Sequence, residues 1–154
     1  MPGDELRALF REIPSPVGVV TVEVSGEAAG LTVDSFGSLS IDPPLVGVAL
    51  GRHAALLELI RESGAFAISV LASDQEHLAQ HFARGVPPIA LWQNVALRTA
   101  DGPPQLDGAA AWLRCRLEQE HPTGDHTFFV STVEHAEAGA ARPLVYHGQA
   151  YAAL

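Results

Sequence analysis

The sequence predicts a mostly β fold, a barrel carrying a few short helices, built as one domain over residues 1–154. Three observations predict it. Runs of roughly four to eight apolar and β-branched residues are bounded by turn residues, the signature of strands. Fourteen Gly and eleven Pro punctuate 154 residues, which suits many tight turns and not a helical bundle. The length fits one hydrophobic core, because domains commonly need about 100–200 residues.

The elements follow in order. Leu6–Glu12 reads as a short helix that Pro14 and Pro16 end. Gly18–Val24 is β-branched and reads as a buried strand, with Ser25–Ala29 as its turn. Gly30–Ser40 is an extended stretch in which small hydroxyl residues recur, stopped by Ile41-Asp42-Pro43-Pro44. Leu45–Leu50 is the next apolar strand. Ala54–Ser63 places Leu56, Leu57, Leu59 and Ile60 on one side of a helix, with Gly64 where a left-handed cap belongs.

Ala65–Leu71 is another strand. Ser73-Asp74-Gln75-Glu76 has the spacing of a capping box and predicts a helix through about Ala83. Gly85–Ala90 reads as a loop, Trp92–Thr99 as an irregular strand and Asp101–Pro104 as a turn. From Ala111 apolar and polar residues alternate: Leu113, Cys115 and Leu117 against Arg114, Arg116 and Glu118. Period two marks a strand with one wet face. His121–Asp125 is expected to break it, Thr127–Val133 to pair with it, and Leu144–His147 to add a last strand.

Charge narrows the possible partners. Nine Arg, no Lys and eighteen Asp and Glu give a net charge of −9. That is no surface for nucleic acid or an anionic membrane, which need clustered cations. No apolar run approaches the ~20 residues of a membrane span, and the acidic start Met1–Glu5 does not read as a signal peptide. A single cysteine, Cys115, forms no internal disulfide. A cytoplasmic protein is expected.

Several constellations carry candidate chemistry. Thr32-Val33-Asp34-Ser35-Phe36-Gly37-Ser38-Leu39-Ser40 offers hydroxyls and backbone donors that hold a polar ring edge or a phosphate without a large positive charge. Gly124-Asp125-His126-Thr127 sets a histidine at a strand start beside a carboxylate, where it suits proton handling. His77 and His81 stand one helical turn apart, but no carboxylate or Cys cluster completes a metal site. Cys115 lies on the apolar face of its strand, the place of an inert thiol. No nucleophile elbow, phosphate loop or Rossmann glycine fingerprint occurs.

In order, the chain reads Gly-Leu-Thr-x-Asp-Ser-Phe-x-Ser-Leu-Ser-x-Asp-Pro-Pro-Leu, Ser63-Gly64-Ala65-Phe66-Ala67 and Leu106-x-Gly108-Ala109. Trp112-Leu113-x-Cys115, Gly124-Asp125-His126-Thr127 and Pro143-Leu144-Val145-Tyr146-x-Gly148-x-x-Tyr151 follow. From about Leu6 to Tyr151 this resembles the flavin reductase family with the FMN-binding split-barrel fold. The type is the small reductase component of two-component flavin monooxygenases. The resemblance implies a homodimer of Greek-key barrels in which NADH or NADPH reduces FMN or FAD for a separate oxygenase.

By the same resemblance, Thr32, Val33, Asp34 and Ser35 would line the isoalloxazine, with Ser38 and Ser40 towards the ribityl chain and phosphate. Gly51 and Arg52 would supply a cation for a phosphate, a role that suits a guanidinium. Ala72 and Ser73 would offer backbone donors at a helix start, and Phe82 would close the site. His126 would position the nicotinamide and act in reduction, oriented by Asp125. Asp34 departs from the family's usual small or amide residue, and an ionised carboxylate there would disfavour a negatively charged reduced ring. Ser69 and Gly37 depart from the pattern too. The alternative reading is a flavin-binding or interaction protein without catalysis on the same barrel, which would not need His126. A relative that oxidises an amine-bearing cofactor would want a dense basic phosphate site, which a chain without Lys lacks.

Overall fold

Seven antiparallel strands make the main sheet, in the order β3-β2-β6-β9-β10-β5-β4. They are β2 (Gly18–Val24), β3 (Glu27–Val33), β4 (Phe36–Ser40), β5 (Leu45–Gly51), β6 (Ala65–Val70), β9 (Ala111–Thr123) and β10 (His126–Ala138). The structure, a computed structural model, describes residues 1–99 and 101–154. A smaller sheet sets β1 (Ser15–Pro16) against the hairpin β11 (Leu144–His147) and β12 (Ala150–Ala153), and β7 (Leu97–Thr99) pairs with β8 (Gln105–Leu106). The helices are α1 (Gly3–Arg11), α2 (Leu56–Ser63), α3 (Glu76–Ala83) and α4 (Pro88–Leu91).

Period two in β2 decides how the core is divided. Val20 and Val22 point into one apolar cluster with Leu56, Leu57 and Ile60 of α2, Phe66, Ile68 and Phe129. Val19, with Val17 just before the strand, points the other way, into a cluster with Leu71, Ala79, Phe82, Leu106 and Leu144. Each such side chain stabilises the fold by about 1.5–3 kcal/mol when fully buried. The sheet also rolls up. Phe36, on β4 at one edge of the order, has its ring 2.9 Å from where a Cβ on Gly18 of β2 would stand. Only glycine admits that approach. The edge strand β4 thus meets β2, next to the opposite edge, through a side chain, and the mostly β barrel expected from the sequence is what forms.

Several elements differ from the sequence reading for identifiable reasons. The turn after β2 is only Ser25-Gly26, both at positive φ (53° and 80°), the geometry of a tight hairpin turn. Gly30–Ser40 is two strands, broken at Asp34-Ser35. The capping box does not form. The first helical residue of α3 is Glu76 and no side chain caps it; Gln75 instead accepts from the Ala72 N–H at 2.9 Å and donates to the Asp107 carbonyl at 2.7 Å.

His121–Asp125 does not break the chain either. β9 runs on to Thr123 and turns back through Gly124-Asp125 alone. Pro122 is tolerated because β6, the other neighbour of β9, stops pairing at Arg116. The predicted loop Gly85–Ala90 contains the start of α4, and only Leu97–Thr99 of the predicted strand Trp92–Thr99 is a strand. The closing hairpin β11–β12 replaces the single last strand, with Gly148 (58°) and Gln149 (64°) as its turn.

Candidate functional site

The β5–β10 register places His126 directly opposite Gly51. The Arg52 N–H donates to the Asp125 carbonyl at 3.0 Å, closing the corner. Nδ1 of His126 lies 2.6 Å from Oδ1 of Asp125. A carboxylate only accepts, so the proton sits on Nδ1 and Nε2 is left for a ligand. The imidazole hydrogen bond holds the Asp125 carboxyl below the usual Asp range, with the Arg52 charge as a smaller contribution. The histidine side chain is 45% exposed and so stays reachable.

The break between β3 and β4 is brought to the same end of β5. The Ala49 N–H donates to the Ser35 carbonyl at 2.9 Å, and Ser35 Oγ donates back to the Ala49 carbonyl at 2.7 Å. Ala49 precedes Gly51 by two residues, roughly 7 Å along a strand. Asp34 and Ser35 therefore stand close to the His126 corner. Thr32 Oγ1 donates to the Ala79 carbonyl at 2.6 Å and ties α3 to β3. The hydroxyl protons of Thr32 and Ser35 are thus both donated to carbonyls within the protein.

Thr32, Val33 and Asp34 line a cleft whose other walls are Val17, Ala83, Tyr146 and Tyr151. The two tyrosines face each other across β11 and β12, with ring centroids 5.1 Å apart and planes at 54°. Burial pushes the Tyr151 phenol up, and Tyr146, Glu76 and Asp34 add to this. Both tyrosines belong to the sequence motif Pro143–Tyr151, but the sequence alone assigns them no role. The available signal was Tyr-x-Gly-x-x-Tyr, which a two-residue turn converts into a directly opposed aromatic pair.

Other predicted residues lie elsewhere. Ser38 and Ser40 pair near Val46 and Leu45, at the far end of β5, and flank an apolar cleft with Phe36, Ile41, Val133 and Ala136. Ala72 and Ser73 have no free backbone donors: the Ala72 N–H is taken by Gln75, and the Ser73 N–H donates to the Arg142 carbonyl at 2.8 Å. The expected donation from a helix start therefore fails at both. Phe82 is 2% exposed and packs under Gly30 and against Trp92, 5.3 Å away, so it is core and not a lid. His81 Nε2 is bonded to the Leu91 carbonyl at 2.6 Å, which separates its role from that of exposed His77. Cys115 is buried, and burial pushes its thiol up to about 12.

The arrangement suits a flat heteroaromatic ring with a phosphate tail. A strand break offers backbone polar groups, two tyrosines offer an aromatic wall, and Arg52 is a guanidinium with no ion pair among the described residues. The 4-hydroxyphenylacetate 3-monooxygenase reductase component of Thermus thermophilus is 40% identical over 141 residues, 91% of this chain and 89% of its own. The NADH:FMN oxidoreductase of Rhodococcus erythropolis is 34% identical over 152 residues, 96% of this chain and 79% of its own. Among solved structures, the NADH:FAD oxidoreductase SgcE6 of Streptomyces globisporus C-1027 superposes with a TM-score of 0.91 at 35% identity, covering 98% of this chain and 93% of that one. With the flavin reductase like domain matched from residue 10 to residue 154, the split β-barrel described above belongs to that family.

Proposed function

We propose that this chain is a one-domain NADH-dependent flavin reductase that passes reduced FMN or FAD to a separate monooxygenase. The observation that carries the reading is the meeting of two sequence-distant segments at one end of β5: the Asp34-Ser35 break and the Asp125-His126 corner. A flavin bound there supplies the hydride acceptor, and NADH supplies the hydride. The chain's own part is to hold two rings in register and keep water out.

Thr32, Val33, Asp34 and Ser35 line the ring, and the Tyr146–Tyr151 pair walls the cleft beside it. Arg52, on the Gly51 corner, takes a phosphate. Ser38 and Ser40 lie towards the far end of β5, away from the Arg52 corner, and take no part in this reading. His126 presents Nε2 to the nicotinamide carboxamide, with Asp125 fixing the tautomer.

A second copy completes the particle. β4 is an edge strand that leaves Leu39 49% and Ile41 86% exposed beside an apolar cleft, and pairing with another chain covers such an edge. No helix of the described residues is long and apolar enough to cross a membrane, and a reducing cytoplasm suits the single buried thiol. The deciding experiment is anaerobic stopped-flow mixing of protein and excess FMN with NADH. The flavin and nicotinamide bands should bleach together over several turnovers. Binding of flavin without bleaching would leave the barrel a binding module.

A further inference from the structure

The sequence motif Leu106-x-Gly108 is the receptor for one buried side chain. Gln75 is 6% exposed. Its Oε1 accepts from the Ala72 N–H at 2.9 Å, and its Nε2 donates to the Asp107 carbonyl at 2.7 Å. Both ends of the amide are thus used, which needs a side chain that accepts and donates at once. Asp107 is itself anchored, because its N–H donates to the Ala96 carbonyl at 3.0 Å. Gly108 (φ 75°) leaves the room: a Cβ there would stand 3.3 Å from Nε2 of Gln75. Its backbone conformation is one that glycine adopts without cost.

What Gln75 holds in place is the frame of the ring cleft. Ala72 lies in the segment Leu71–Ser73. The Leu71 N–H donates to the Val17 carbonyl at 2.9 Å, and Val17 lines the cleft. The Leu144 N–H donates to the Leu71 carbonyl and the Ser73 N–H to the Arg142 carbonyl, each at 2.8 Å, with Ala72 opposite Pro143. Those bonds seat the start of β11 and with it Tyr146. On its other side Gln75 begins α3: its backbone carbonyl accepts from the Leu78 and Ala79 N–H groups at 3.0 and 3.2 Å. The Ala79 carbonyl in turn accepts from Thr32 Oγ1, and Ala83, at the end of α3, lines the cleft. The walls built from Val17, Thr32, Ala83 and Tyr146 therefore converge on a residue that does not itself line the cleft.

We infer that Gln75 is a positioning residue for the ring cleft: its amide clamps the Leu71–Ser73 segment to Asp107 and so sets the spacing between α3 and the Tyr146–Tyr151 wall. This deepens the flavin reductase reading, on which the identity of the ring rests. The His126 corner lies outside the clamp, because the β5–β10 ladder fixes it. A binding site keeps its geometry only while the residues behind its lining are locked. Loss of the clamp should therefore weaken flavin binding and leave hydride transfer at saturating flavin nearly intact.

The test compares the wild type with Gln75→Met, which keeps the length and loses both bonds, and with Gln75→Glu. Tyr146 and Tyr151 are the only tyrosines of the chain, so NMR of ring-labelled tyrosine reads the wall directly, without flavin. Both signals should shift in Gln75→Met, and KM for flavin should rise about tenfold with kcat within about twofold. In Gln75→Glu the neutral acid keeps both bonds, whereas the carboxylate faces the Asp107 carbonyl with no proton to donate. Measured against the wild type from about pH 5 to pH 8, its flavin affinity should be near normal in acid and fall as the carboxyl ionises. This series decides the matter if Gln75→Met does not fold. A lower kcat with KM and both tyrosine signals unchanged in Gln75→Met would mean lost folded protein only, and overturns the inference. A Gln75→Glu affinity ratio that is flat with pH overturns it too. A wild type that binds no flavin sinks the reductase reading instead, while the tyrosine signals still decide the clamp.

Discussion

Arg52 and Asp125, 73 positions apart in the chain, are joined by a backbone hydrogen bond of 3.0 Å from the Arg52 N–H to the Asp125 carbonyl. The bond extends the β5–β10 ladder past its last pair, His126 with Gly51. A guanidinium and an imidazole–carboxylate pair are thereby fixed on neighbouring strands, where a shift in register would separate them.

His126 is the residue on which the reductase reading depends most. His126→Ala should raise KM for NADH or slow flavin bleaching by about tenfold, with flavin affinity nearly retained. His126→Asn, which keeps a donor to Asp125, should recover part of the loss. Unchanged NADH turnover in His126→Ala removes the histidine from the mechanism.

Arg52→Ala should weaken binding of flavin or of NADH by about tenfold, the scale of one lost charge-assisted hydrogen bond. Lysine at this position keeps the charge but not the fork, and should recover only part of the affinity. Wild-type affinities for both nucleotides in Arg52→Ala would place the phosphate elsewhere.

The corner also carries a pH dependence whose sign follows from Asp125. Its carboxyl is held below the usual Asp range by His126, so the contribution of the pair to stability is complete above the ordinary Asp value, about 3.9. It is lost as pH falls through the depressed folded value. A carboxyl-carbon NMR titration should show Asp125 protonating at lower pH than in His126→Ala. Identical midpoints in the two proteins would mean that the hydrogen bond is not formed in solution.

Gly139 tests the packing at the far end of β10. A Cβ there would stand 2.4 Å from the Ala109 carbonyl oxygen and 3.2 Å from the Trp112 ring. Backbone cannot move aside as a flexible side chain can, so Gly139→Ala should cost about 1–3 kcal/mol in denaturant unfolding. The control is Gly37→Ala, where a Cβ meets nothing within 4 Å. Equal stability of the two variants would count against this packing.

Much of the fold was legible in the sequence because strands and caps are local. Gly18–Val24 and Leu144–His147 end where the β-branched and apolar runs end, and Gly64 (φ 69°) closes α2 as its position predicts. The capping-box reading of Ser73–Glu76 failed because Gln75 reaches Asp107, a partner 32 positions away that no local window contains. The loop read at His121–Asp125 failed for a related reason: Pro122 disrupts a strand only if a neighbour needs its N–H, and β6 has ended by then.

The sequence by itself determined the fold class, the family motifs and the residue types able to handle phosphate, ring and proton. Those depend on periodicity, turn chemistry and composition, all of which are read along the chain. Which of these residues share a site was decided by tertiary structure alone. Register set His126 opposite Gly51, packing under Gly30 and against Trp92 buried Phe82, and the closing hairpin brought Tyr146 and Tyr151 beside Asp34. Pairing between distant strands is a property of the whole sheet, and no local stretch of sequence encodes which strand will lie beside it.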